Sequence, residues 1–121
     1  MIQDAFPVLH ITSIAASYEF YRTLGFRLTF GAPPDGRLRD PVYMGFTRDR
    51  GVLHVSSHAG DGVVGGVVYF MVDDVDALHA ELVAKRVPIH LAPTDQTWGL
   101  REMYVLDPDR NSLRFGSRAR S

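Results

Sequence analysis

The chain has 121 residues, of which 45% are hydrophobic and 22% charged, with a formal net charge of −1. This size and composition predict one globular domain over residues 1–121, while the near-neutral charge argues against a nucleic-acid-binding protein. The chain has no cysteine, which excludes disulfides and cysteine-based sites. Neither a membrane-spanning run nor a signal peptide is recognised in the sequence. We therefore expect a cytoplasmic protein without membrane partners.

The first half of the chain reads as a strand, a helix and three further strands. Ser13 is a good N-cap residue for the helix, and Gly25 is a plausible stop signal at its end. The strands are recognised by alternating apolar residues between turn signals. We predict a helix near 14–24 and strands near 6–12, 26–31, 41–47 and 52–57.

The second half repeats this order. At a constant offset, Ile11, Ser13 and Tyr21 match Val72, Asp74 and Leu82. Because each half carries the same signals in the same order, each is predicted to form the same βαβββ module. We predict a helix near 75–86 and strands near 66–72, 87–91, 100–106 and 112–117.

The fold class predicted from this repeat is α+β. Module 1 is expected over about 5–58 and module 2 over about 65–117, joined by a glycine-rich linker at 59–66 and followed by a basic tail at 118–121. A four-stranded sheet with a helix on one face leaves its other face open. Two such curled mixed sheets would form a cleft for a small molecule.

Three segments in this order resemble the vicinal oxygen chelate superfamily, also called the glyoxalase/bleomycin resistance/dioxygenase superfamily: "SYEFYRTLGF", "VDDVDALHAEL" and "VLDPDRNSLRF". The resemblance implies metal ligands on the opening and closing strands of each module, which correspond here to Phe6, His54, Val67 and Arg114. Only His54 could bind a metal, and Arg114 stands where the family usually has a glutamate. We therefore expect no metal, no cofactor and no catalytic residue.

Within that superfamily the chain resembles bleomycin-resistance proteins most closely. The segments that carry this resemblance are "FPVLHITSI", "LGFRLTF" and "TWGLREMYVLDPDRN". They imply that Pro7 is the hinge of a domain-swapped homodimer, that Phe30 lines a drug groove and that Trp98 stacks on the ligand. From the residues alone, Trp98 could equally be packed or lie in an interface, and Phe30 could belong to the core.

Further ligand-binding candidates lie on the predicted strands. His10 could form a structural hydrogen bond, contact the ligand or act as a base. Arg114 could pair with Glu102 across the last hairpin or anchor an anionic or carbonyl-bearing ligand. With the residues named above, the predicted ligand-binding set is Trp98, Phe30, His10, Tyr43, His54, Tyr69, Glu102 and Arg114.

The resulting functional hypothesis is metal-independent binding and sequestration of a small aromatic or amphipathic molecule. Its most specific version is resistance to a bleomycin-type antibiotic, which the resemblance implies. The alternative is a glyoxalase- or dioxygenase-like enzyme with displaced or absent metal ligands. A third possibility is a metal-free enzyme that uses His10 or Glu102 as a base.

Overall fold

A computed structural model describes residues 1–31, 37 and 39–119. It confirms two βαβββ modules, each with a four-stranded mixed sheet in which the first strand pairs in parallel with the last. The elements of module 1 are β1 Val8–His10, α1 Ile14–Thr23, β2 Arg27–Phe30, β3 Tyr43–Arg48 and β4 Gly51–Ser56. Those of module 2 are β5 Val67–Met71, α2 Val75–Ala84, β6 Leu91–Asp95, β7 Leu100–Leu106 and β8 Ser112–Arg118.

The position predicted for the sixth strand is wrong. That strand was expected at 87–91, but β6 runs from Leu91 to Asp95. The residues after α2 instead close the helix, since the N–H of Val87 donates to the carbonyl of Leu82. Pro93 lies inside β6, where it is tolerated because β6 is the edge strand of its sheet and the ladder shifts register around it.

The two helices begin at the predicted residues but are capped differently. The Asp74 carboxylate accepts hydrogen bonds from the backbone N–H groups of Asp76 and Ala77, at 3.1 and 3.2 Å. Ser13 occupies the equivalent place before α1, yet its side chain makes no capping hydrogen bond within the described chain. The matched sequence signals therefore contribute unequally to stability.

This difference predicts that Asp74→Ala lowers the free energy of unfolding by about 1 kcal/mol, because two helix donors lose their acceptor. Ser13→Ala is the matched control and should leave that free energy nearly unchanged. Urea denaturation followed by circular dichroism measures both. If the two variants lost the same free energy of unfolding, the capping hydrogen bonds of Asp74 would not stabilise the protein measurably.

Alternation along the strands divides each sheet into a helix-covered face and an open face. In module 1, α1 packs against β3 through Tyr21 and Phe46, whose ring centroids are 5.3 Å apart. The fully buried side chains come from both modules and form one core. The largest are Tyr21, Phe46, Ile11, Leu24, Met44, Leu53, Leu82, Met103 and Leu113.

The modules contact one another on their helix-covered sides. Tyr21 donates a hydrogen bond to Asp107 at 2.7 Å, and Phe26 packs against Phe70 with centroids 5.6 Å apart. Arg48 donates two hydrogen bonds to Glu81, at 2.8 and 2.9 Å. Because these contacts use the covered sides, the opposite face of each sheet is left available for other contacts.

β1 pairs with β4 of its own chain, and the carbonyl of Pro7 accepts from the N–H of His54 at 2.9 Å. β8 extends to Arg118, the first residue of the predicted basic tail, while residues 120–121 lie outside the described chain. Within residues 1–31, 37 and 39–119, no helix is both long enough and apolar enough to span a membrane.

Candidate functional site

The open face of each sheet carries a cluster of aromatic side chains around one ionisable residue, His54 in module 1 and Glu102 in module 2. We call Phe6, Val8, Phe30, Tyr43 and His54 the module-1 face. We call Val67, Tyr69, Met71, Trp98, Glu102, Tyr104 and Arg114 the module-2 face. Among the residues described, no ring contact or side-chain hydrogen bond joins one face to the other.

The module-1 face is an aromatic cluster around His54. The ring of Phe6 lies 4.2 Å from the imidazole, and Phe30 meets the imidazole edge-on at 5.1 Å. The Tyr43 hydroxyl is 2.7 Å from Nδ1 of His54. Burial lowers the pKa of His54, so at neutral pH this face presents an uncharged aromatic surface.

Two glycines make room for aromatic rings on the open faces. A Cβ on Gly45 would come within 2.2 Å of the Phe30 ring, and a Cβ on Gly116 within 1.8 Å of the Tyr69 hydroxyl oxygen. Real Cβ atoms do not approach other atoms so closely. Both glycines thus allow a ring to lie directly across a neighbouring strand.

The module-2 face is organised around the carboxylate of Glu102, which is only 2% exposed. It accepts hydrogen bonds from the hydroxyl of Tyr69 at 2.7 Å, the indole N–H of Trp98 at 3.1 Å and the hydroxyl of Tyr104 at 2.9 Å. Tyr69 comes from β5 and Trp98 from the loop before β7, so three segments converge on one acid.

These contacts set the charges on the face. Burial by itself raises the pKa of Glu102, but the hydrogen bonds from Tyr69, Trp98 and Tyr104 and the charge of Arg114 outweigh it, so the pKa lies below its usual value. Burial and the bond to Glu102 raise the pKa of Tyr69, and the bond to Glu102 and burial raise that of Tyr104. At neutral pH a carboxylate is therefore held by neutral donors.

Arg114 is the cation of this face. Its guanidinium carbon lies 4.5 Å from the centroid of the Tyr104 ring, a cation–π distance. Arg114 lies opposite Tyr104 on one neighbouring strand and Tyr69 on the other, while Glu102 lies opposite Gly116. The direct Glu102–Arg114 pair considered from the sequence is therefore not formed in the described structure, although the two charges interact through space.

Seven of the eight predicted ligand-binding residues lie on the open faces. Phe30, Tyr43 and His54 belong to the module-1 face, and Tyr69, Trp98, Glu102 and Arg114 belong to the module-2 face. His10 lies apart, because its Nδ1 is 3.0 Å from the carbonyl oxygen of Asp61 in the linker. The structure thus brings the predicted residues together as two groups.

Tyr104 is a residue of this site that the predicted set omitted. The signal was present, because Tyr104 follows Glu102 by two positions on β7 and therefore shares its face. Tyr69 and Met71 are likewise two positions apart on β5 and share a face. Both are exposed, at 39% and 62%.

The donor set does not fit the divalent ion that the family resemblance implies. Of the four corresponding positions, Phe6 and Val67 have no donor atom and Arg114 is a permanent cation. In the part of the chain that the structure describes, no group of three or more His, Asp or Glu side chains is arranged to hold a metal ion. His54 is thus the sole suitable donor among those four positions.

A cavity of about 810 Å³ lies between the modules and reaches the module-2 face only at Tyr69 and Met71. It is lined mainly by residues of the module junction, including Phe26, Arg48, Phe70 and Glu81. Glu102, Trp98 and Arg114 are not part of it. The chemistry of the open faces is therefore separate from this junction cavity.

The whole chain, residues 1–121, matches the family model described as "Glyoxalase superfamily protein". One similar solved structure is a bleomycin-binding protein complexed with bleomycin, which is 23% identical with a TM-score of 0.77. Another is a bleomycin resistance determinant encoded on a transposon, which is 22% identical with a TM-score of 0.77. Each alignment covers 98% of this chain and 100% of the other.

A third similar structure is a lactoylglutathione lyase from Agrobacterium tumefaciens, 20% identical with a TM-score of 0.72 over 96% of this chain and 94% of the other. No curated protein matches the chain. The structural likenesses show the shared fold, while the match to the family model extends over the entire sequence. The chain therefore belongs to the glyoxalase/bleomycin resistance protein/dioxygenase superfamily.

Proposed function

We propose that this protein binds and sequesters a small, planar aromatic or amphipathic molecule without a metal ion and without changing it chemically. The observation that carries the proposal is the state of Trp98. Its side chain is 61% exposed, while its indole N–H is fixed by a hydrogen bond to the buried Glu102. Trp98 therefore presents an exposed aromatic ring whose orientation is fixed by the hydrogen bond of its N–H.

Such a ring is suited to stacking, because a ring that is already held loses little conformational entropy when a ligand covers it. Met71 and Tyr69 supply further exposed, adaptable surface on the same face. The fold likeness to a protein solved with bleomycin supports a ligand of drug size. A bleomycin-type antibiotic, and hence a role in drug resistance, is the most specific version of this proposal.

The proposal includes a homodimer, in which the module-1 face of one chain covers the module-2 face of its partner. Each face is half of a cleft, and exposed apolar groups occur on both, among them Phe6, Phe30 and Trp98. Exchange of β1 about Pro7 would add residues of the partner subunit to each cleft. Light scattering should give twice the chain mass, and a monomer that retains full ligand affinity would contradict this part.

The enzyme alternatives gain less support from the described residues. The lone pairs of Glu102 accept three hydrogen bonds and its pKa is lowered, which makes it a weak base. His10 is tied to the linker through Asp61. Across residues 1–31, 37 and 39–119, no three His, Asp or Glu side chains are grouped so that they could hold a displaced metal ion.

The test is titration with metal-free bleomycin and with a panel of planar aromatic compounds. Because Trp98 is the only tryptophan, binding should quench the intrinsic fluorescence, and it should also raise the melting temperature. Trp98→Ala should weaken binding by about tenfold, measured by calorimetry because the fluorescent reporter is lost.

Val83→Ala is the matched control, since Val83 is an exposed apolar residue on α2. It should leave the affinity unchanged. The proposal fails if no compound of the panel changes either the fluorescence or the melting temperature. It also fails if Trp98→Ala binds as tightly as the unaltered protein.

A further inference from the structure

One hydrogen-bond donor of Arg114, its Nε, is buried without a partner in the described structure. It is one of the five N–H donors that a guanidinium carries. The contact that holds the group is the ring of Tyr104, on which it lies at 4.5 Å. A buried donor without an acceptor is unfavourable, so this site is incomplete as it stands.

Glu102 cannot complete it. The two oxygens of Glu102 already accept from Tyr69, Trp98 and Tyr104, and the strand register places the acid opposite Gly116 and not opposite Arg114. The carboxylate thus balances the charge of Arg114 from a distance without using its N–H groups. The group that remains buried without a hydrogen-bond partner at this point of the module-2 face is the Nε donor of Arg114.

We propose that the ligand carries a carboxylate beside its planar aromatic part, and that this carboxylate binds the guanidinium of Arg114 while the ring stacks on Trp98. The inference rests on the proposed binding function and narrows its ligand class. The planar fork of a guanidinium matches the two oxygens of a carboxylate. Trp98 reaches Glu102, and Arg114 lies on Tyr104, so both groups border the same Glu102–Tyr104 pair.

The hydrogen-bonding groups of the face favour an acid over a cation as the ligand. A strongly cationic ligand would find the carboxylate of Glu102 already engaged in three hydrogen bonds. An acidic ligand instead brings the acceptors that the guanidinium lacks. The inference therefore favours an aromatic acid over the bleomycin-type antibiotic as the ligand of this face, and the titrations with each distinguish the two.

The test compares naphthoic acid with its neutral analogue naphthamide, both titrated by calorimetry at pH 7.5. The unaltered protein should bind the acid about tenfold more tightly than the amide, as expected for a charge-assisted bidentate contact. Arg114→Gln should remove that difference by weakening the acid while leaving the affinity for the amide within about twofold.

Arg118→Gln is the matched control, because Arg118 lies at the exposed end of the same strand, and it should retain the preference for the acid. Arg114→Lys keeps the positive charge but lacks the planar guanidinium, so its preference for the acid over the amide should be intermediate. It serves as the second variant if Arg114→Gln does not fold. Equal binding of acid and amide by the unaltered protein overturns the inference but leaves the binding function standing. Binding of neither compound overturns the inference, and the panel described above then decides the function separately.

Discussion

Replacing Asp107 by alanine should lower the free energy of unfolding by about 3–5 kcal/mol, the range for removing one partner of a buried charged network. Asp107 is only 4% exposed. It accepts side-chain hydrogen bonds from Tyr21 at 2.7 Å and Asn111 at 2.8 Å. It also accepts from the backbone N–H groups of Asp109 and Asn111, at 2.9 and 2.8 Å.

The size of this effect follows from the position of the network. The hydroxyl of Tyr21 belongs to α1, whereas Asp107 lies in the turn between β7 and β8, so their bond joins the two modules. Burial and then the charge of Asp107 raise the pKa of Tyr21, which keeps the phenol a neutral donor. Alanine would leave the donors around position 107 buried without an acceptor, and each costs about 1–3 kcal/mol.

Urea denaturation at neutral pH measures this loss. Tyr21→Phe removes one donor and keeps the carboxylate, so it should cost about 1–2 kcal/mol. Asp73→Ala changes an exposed acid and should stay within about 0.5 kcal/mol of the unaltered protein. If Asp107→Ala cost no more than Asp73→Ala, the network would not hold the modules together.

Glu102→Gln is expected to lower the free energy of unfolding by about 2–3 kcal/mol at neutral pH. The amide nitrogen of glutamine would face donors that now point at a carboxylate oxygen, namely Tyr69 and Trp98 at Oε2 or Tyr104 at Oε1. The charge of Arg114 would also lose its nearby counter-charge. Calorimetric affinity for the neutral naphthamide should fall as well, because the edge of Trp98 is no longer fixed in the same way.

The same substitution predicts a change in pH dependence. The pKa of Glu102 is lowered in the folded protein, so its stabilising effect is present above the unfolded pKa and is lost as the pH falls through the folded value. The stability difference between the unaltered protein and Glu102→Gln should therefore shrink below about pH 4. The lowered pKa of Glu81 acts in the same direction in both proteins and cancels in the comparison.

Denaturation curves at several pH values between neutrality and the acid range provide the measurement. Glu19→Gln is the matched control, since Glu19 is exposed on α1, and at neutral pH its free energy of unfolding should lie within about 0.5 kcal/mol of that of the unaltered protein. If the difference in free energy of unfolding between the unaltered protein and Glu102→Gln persisted or widened in acid, the carboxylate of Glu102 would not be the group that titrates.

The internal repeat made most of the fold predictable. Strand alternation and helix signals depend on neighbouring residues, so the module order and the starts of both helices at Ile14 and Val75 were found from the sequence. The exception is β6, whose Pro93 is compatible with a strand only at a sheet edge. Edge position is a property of the assembled sheet, and no local pattern reports it.

The candidate site was predictable as a list of residues and not as an arrangement. Glu102 was proposed because the last two strands were expected to pair, and strand parity would have added Tyr104, which lies two positions further along β7. Strand parity could not show that β5 lies beside β8 and thereby brings Tyr69 to Glu102. For the same reason it left open whether Arg114 pairs with Glu102.

By itself, the sequence determined the two-module order, the residue types on each strand and the unsuitability of three of the four usual ligand positions for a metal. These are local properties of the chain or consequences of side-chain chemistry. Only the tertiary structure decided that the carboxylate of Glu102 accepts three hydrogen bonds while the buried Nε of Arg114 has no partner among the described residues. Hydrogen-bond partners are set by strand register and by loops far apart in the chain, and that arrangement exists only once the sheet is assembled.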